Sequence, residues 1–116
     1  MMSERIEPHA APALPQAVHE FIAATNRGDS DGFVAAFTAD AYLNDWGREF
    51  YGHEGVRSWD RTDNIGVSAH FELEAVVRAD PDTYVVTLTV TGNGYNGTGP
   101  MRFTLRDGRI ARLVIA

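Results

Sequence analysis

The chain has 116 residues, 44% of them hydrophobic, with a net charge of −6 and a pI near 5. That is one globular domain with material for a single core, and the acidic balance argues against nucleic acid or an anionic membrane as partner. The absence of cysteine removes disulfides, thiol nucleophiles and zinc–thiolate sites, and the absence of lysine removes Schiff-base chemistry, since all ten basic residues are arginine.

Residues 1–13 read as a flexible arm with Pro8 and Pro12, and residues 14–116 as one domain. The arm has no apolar signal core, which points to a cytoplasmic protein. A first helix is expected from Pro15. Val18, Phe21, Ile22 and Thr25 fall on one stripe of it, and Gly28 ends it. Residues 26 to 40 read as helical, with Asp29 or Ser30 capping a short second helix that carries Phe33, Val34 and Phe37. The stretch Ala41 to Asp45 reads as a strand with Ala41, Leu43 and Asp45 on one face. Trp46-Gly47 makes a turn into a short strand at Glu49 to Tyr51. Gly52 opens a third helix with Val56, Trp59, Asp60 and Asp63 on one face.

The remainder alternates as strands. Phe71, Leu73, Ala75 and Val77 are expected inward on the first, and Tyr84, Val86, Leu88 and Val90 on the second. The loop GNGYNGTGP (residues 92–100) follows, then Met101, Phe103 and Leu105 inward. Asp107-Gly108 is a two-residue hairpin signal before a last strand from Arg109 to Ile115. Helices followed by antiparallel strands indicate an α+β fold, with a curved sheet wrapped over the N-terminal helices.

Asp45 is the candidate with chemistry. A carboxylate in an otherwise apolar wall has its charged form destabilised, which suits it to accept a proton. Phe21, Trp46, Trp59, Met101 and Phe103 are expected to line the substrate cavity, with Tyr95 or Asn96 from the glycine-rich loop folding over it. Asp63 is a candidate second acid at the cavity mouth, and Asp60 reads as part of a solvated helix edge. His9, His19, His53 and His70 are scattered without metal-ligand spacing, so neither a metal nor a cofactor is expected.

The segments FIAATNRGD, DGFVAAFTADAYLND, YGHEGVRSW, VVRADPD and RFTLRDGRIARL, in this order and spacing, resemble the nuclear-transport-factor-2-like superfamily, in its ketosteroid-isomerase and SnoaL-like branch. The resemblance implies a cone-shaped half-barrel, commonly a homodimer through the sheet, with a pocket for a small apolar molecule. In the isomerase branch the Asp of the first-strand motif shuttles the proton, and Asp45 occupies that position. Phe21 stands where that branch carries an oxyanion-donating Tyr, and Met101 where it carries a protonated Asp. The limonene-epoxide-hydrolase triad also fails to transfer, because Ile115 stands near its last-strand acid. The resemblance therefore implies an acid/base enzyme of isomerase, dehydratase or cyclase type on a carbonyl compound, without the steroid-isomerase donor pair. A non-catalytic ligand-binding or assembly domain of the same fold is the alternative.

Overall fold

The computed structural model describes residues 13–116, so the arm expected over residues 1–13 lies outside the described residues apart from Ala13. Helix α1 (Gln16–Arg27) follows Pro15 and buries Ala17, Val18, Phe21, Ala24 and Thr25. It ends at Gly28, whose φ of 72° lets its N–H turn back onto the carbonyls of the last turn. Helix α2 (Ser30–Ala35) starts where the Asp29 carboxylate accepts from the Gly32 N–H at 2.9 Å.

Strand β1 (Phe37–Asp45) begins at Phe37, which corrects the helical reading of residues 26 to 40. Local helix preference loses here to pairing. Phe37 sits in parallel register with Ile110, and the Ile110 N–H bonds the Ala36 carbonyl at 2.9 Å. Strand β2 (Arg48–Tyr51) pairs antiparallel with β1, and helix α3 (Gly52–Asp63) follows it and buries Val56, Trp59 and Asp60. A short 3₁₀ turn, Ile65–Val67, leads to β3 (His70–Asp80), β4 (Thr83–Thr91), β5 (Gly97–Arg106) and β6 (Arg109–Ile115).

The six strands form one curved, unclosed sheet in the order β2-β1-β6-β5-β4-β3, antiparallel except where β1 meets β6. The turn between β5 and β6 has positive φ at both Asp107 and Gly108, as the two-residue hairpin signal requires. Expected inward residues Val86, Leu88, Val90, Met101 and Phe103 are buried.

Strand β3 departs from strict alternation. Its register against β4 shifts between Leu73 and Ala75, so Val76 pairs with buried Val86 while Ala75 pairs with Thr87. The bulge inverts every later side chain. Val76 therefore points inward and Val77 is 58% exposed, the reverse of the alternation reading. Leu73, expected inward, is exposed on this edge strand.

Under the sheet, Phe21 is the hub of an aromatic core. Its ring stacks on Phe71 at 5.2 Å, meets Phe103 edge-on at 5.0 Å and lies tilted against Phe33 at 5.1 Å. Such offset and edge geometries follow the ring quadrupoles and add to area burial. Among the described residues no helix is long and apolar enough to cross a membrane.

Candidate functional site

A cavity of about 440 Å³ opens between the inner sheet face and α3. Its apolar wall includes Trp59, Val67, Phe71, Leu88, Val90, Pro100, Met101 and Ile115, and Asp45, Arg48, Thr62 and Asp63 form a polar corner. The size and the mix of an apolar wall with a few convergent polar groups are those of a small-molecule site.

On β5, Gly99 lines the hollow at a position where a side chain would project into it. Gly99 pairs with Leu88 and Gly97 with Val90, so both lie in the inward register two and four residues before Met101. A Cβ at Gly99 would meet nothing within 4 Å, whereas one at Gly97 would strike the Tyr95 hydroxyl at 2.3 Å. Gly97 thus lets the Tyr95 ring lie over the strand, and Gly99 leaves open space.

The polar corner is built by a hairpin. Asp45 ends β1 and Arg48 begins β2 as its cross-strand partner, joined by Trp46-Gly47. Trp46 adopts φ of 52°, unusual for a large side chain, and remains 76% exposed at the cavity lip. Trp59, Thr62 and Asp63 come from one face of α3.

The Asp45 carboxylate is anchored through one oxygen. Its Oδ2 accepts from Trp59 Nε1 at 2.9 Å and from Arg48 Nη2 at 2.6 Å. No hydrogen bond among the described residues goes to Oδ1. Asp45 is thus partly enclosed, with 15% of its side chain exposed, but it is not the unpartnered acid that the alternation suggested. Arg48 also reaches Asp63, with Nη2 at 3.0 Å and Nη1 at 3.3 Å from its oxygens. Partial burial on its own would raise the Asp63 carboxyl. Hydrogen bonds from Arg48 and Thr62 and the Arg48 charge outweigh it and hold the group below the ordinary carboxylate range. The hydrogen bond to Asp63 leads the effects that raise Arg48 above its ordinary value, against desolvation.

Of the residues singled out from sequence, Asp45, Trp46, Trp59, Tyr95 and Met101 line this cavity. Phe21 and Phe103, expected as cavity walls, do not. Both are fully buried in the aromatic core, on the side where facing rings leave no space. Asn96 bonds its own loop, donating to the carbonyls of Gly92 and Gly94. Asp60, read as part of a solvated helix edge, is 2% exposed and accepts from Ser30 Oγ at 2.7 Å and Asn64 Nδ2 at 3.1 Å. Asp63 does stand at the cavity, but as the second anion on Arg48. His53 lies against the Phe37 carbonyl at 2.8 Å. Among the described residues no three His, Asp or Glu side chains gather as a metal site requires.

Arg48, Gly99 and Asn64 were not singled out from sequence. Arg48 follows Asp45 by three residues across an X-Gly turn, the spacing of a hairpin-closing pair, which was a usable signal. Gly99 was legible by extending the Met101–Phe103 alternation backwards.

Residues 18–113 match the SnoaL-like domain family. A proposed polyketide cyclase from Sinorhizobium meliloti is 30% identical, with 89% of this chain and 95% of that one covered and a TM-score of 0.80. The Δ5-3-ketosteroid isomerase from a Mycobacterium species is 18% identical over 84% of this chain and 87% of that one, at a TM-score of 0.71. A Mycobacterium tuberculosis protein in complex with estradiol-17β-hemisuccinate is 17% identical over 84% and 88%, at 0.74. The last two likenesses concern the fold alone. No curated protein matches the sequence.

Proposed function

The chain belongs to the SnoaL-like domain family, and from that premise we propose that it is a cofactor-free acid/base enzyme acting on a small, largely apolar carbonyl compound, with Asp45 as general base. The observation that carries this reading is the split role of the Asp45 oxygens. Oδ2 is held by Trp59 and Arg48, while Oδ1 is left to a ligand at the polar end of an apolar cavity. A base must be oriented before it is useful, and two donors on one oxygen orient it.

In the proposed step, Oδ1 takes a proton from the carbon alpha to the carbonyl, and the C–H electron pair moves into an enolate. The proton then returns at another carbon, or the enolate attacks an electrophile within the same molecule. The negative charge that develops on oxygen needs donors, and Phe21 and Met101 cannot supply them. Arg48 stands in the same corner. Its guanidinium carries five N–H groups, and its contacts to Asp45 and Asp63 leave some of them free. One preorganised donor of this kind contributes on the order of 3 kcal/mol in the transition state.

The test is deuterium incorporation. Bicyclic ketones such as 1-tetralone are incubated with the protein in D₂O, and exchange alpha to the carbonyl is followed by NMR. Wild-type protein exchanges faster than buffer. Asp45→Asn loses that exchange while still binding the ketone, as read by tryptophan fluorescence. Undiminished exchange in Asp45→Asn rejects the assignment.

A second reading, a non-catalytic ligand-binding domain, draws on the Arg48 ion pair at Asp45. Binding by the wild type with no exchange for any ketone that enters the cavity decides in its favour. A homodimer through the outer sheet face and a cytoplasmic location complete the proposal. A solution mass of 12.7 kDa by light scattering, the mass of one chain, rejects the dimer.

A further inference from the structure

We propose that Asn64 is a built-in hydrogen-bond acceptor for the ligand, so that the cavity selects apolar molecules bearing a hydroxyl group. The proposal rests on the cavity being the ligand site named above, but not on turnover.

Asn64 caps the C-terminal end of α3 and is fully buried, yet it lines the cavity beside Val67 and Phe71. Its main chain is satisfied. The N–H donates to the Asp60 carbonyl at 3.2 Å, and the carbonyl accepts from the N–H groups of Val67 and Ala69 at 3.0 Å each. Its side-chain NH₂ is also spent, donating to Thr25 Oγ1 at 2.9 Å and to Asp60 Oδ1 at 3.1 Å.

These two contacts dictate which way the amide faces. Turning it over would set its oxygen against the Asp60 oxygen, acceptor on acceptor. The Thr25 hydroxyl offers no relief, because its proton goes to the Phe21 carbonyl at 2.8 Å. What remains is Oδ1, a buried acceptor with no partner among the described residues. Buried acceptors are nearly always paired, and one left over in a cavity-lining side chain calls for a donor from the ligand. The other such atom, Thr38 Oγ1, belongs to a residue outside the cavity.

The surrounding wall sharpens the selection. A hydroxyl placed among apolar side chains finds few competing partners, and a hydrogen bond in such surroundings is stronger than in water. A methyl group at the same point leaves the amide oxygen unpaired. Asp45 also accepts, but it belongs to the Arg48 corner, and Asn64 makes no hydrogen bond to Asp45, Arg48 or Asp63. The two acceptors therefore read different points of a ligand.

The experiment compares 2-naphthol with 2-methylnaphthalene, which differ in one hydroxyl, by calorimetric titration of the full chain. The expected preference for the naphthol is about tenfold, the effect of one satisfied hydrogen bond. In ¹⁵N-labelled protein the Asn64 side-chain amide resonances shift with the naphthol and not with the hydrocarbon. Equal affinities with an unmoved Asn64 amide overturn the acceptor role and leave the cavity reading intact. A preference with an unmoved Asn64 amide assigns the hydroxyl to another acceptor and also overturns it. Failure of both compounds to bind overturns the cavity reading and this proposal together. No step depends on an Asn64 variant, whose loss of contacts to Thr25 and Asp60 would threaten the fold.

Discussion

Two regions of the same inner sheet face behave oppositely. Beneath α1, Phe21, Phe33, Phe37, Phe71 and Phe103 interlock with ring centroids about 5 to 6 Å apart. Beside α3, the face carries Gly99 and borders a cavity of about 440 Å³. Both regions belong to one sheet with one pairing pattern. The difference lies in side-chain volume at inward positions: large rings fill the space on one side, and Gly99 leaves it open on the other. The two regions meet at Phe71, which stacks on Phe21 and also lines the cavity.

The sharpest way to break this comparison is at the aromatic hub. Phe21→Ala should lower stability by about 3 to 5 kcal/mol, as large-to-small changes in tight cores do, with denaturant unfolding as the measurement. A loss below about 1 kcal/mol would mean the packed end is not packed. The converse change is Gly99→Leu. Its backbone φ is not positive and a Cβ there meets nothing within 4 Å, so stability should move by less than about 1 kcal/mol. Apolar ligands should lose affinity at least about tenfold, roughly the effect of removing one good contact. Ligand binding that survives Gly99→Leu would place the site elsewhere.

The polar corner permits a finer test. Asp63 titrates below the ordinary carboxylate range in the folded protein. A lowered folded-state value means its stabilising contribution is complete above the ordinary range and is lost as pH falls through the lowered value. Arg48→Met should remove that acid-side loss along with the ion pairs. Because Arg48 is half-exposed, the cost at neutral pH should be no more than about 1 kcal/mol. An unchanged acid limb in Arg48→Met would show that other carboxylates set it. The smallest expected effect is at Trp46, whose positive φ strains a large side chain. Trp46→Asn suits that turn position and should raise stability by about 0.5 to 1 kcal/mol, while weakening ligand binding at the lip.

The order of elements was legible from residues alone, because period-2 and helical patterns report which side chains meet a core. The last strand runs from Arg109 to Ile115 as read, and the Asp107-Gly108 turn has the geometry its residues demand. Phe37 and β3 were misread for related reasons. At Phe37 the parallel pairing with β6 overrode local preference, and a bulge after Leu73 reversed Ala75, Val76 and Val77. Neither pairing partners nor bulges leave a reliable mark in a single strand.

For the site, the sequence by itself determined that Asp45 ends an inward-facing strand face, directly before Trp46. It also determined that the chain offers neither thiol nor amine chemistry. Only the tertiary structure decided what surrounds that acid. Strand pairing and helix docking brought Arg48 and Trp59 onto one of its oxygens and placed Gly99 on the same cavity. Those same contacts sent Phe21 and Phe103 into the core. Periodicity tells which face a side chain takes. Distance, partner and empty volume depend on how separate elements close over one another, and no local pattern encodes that.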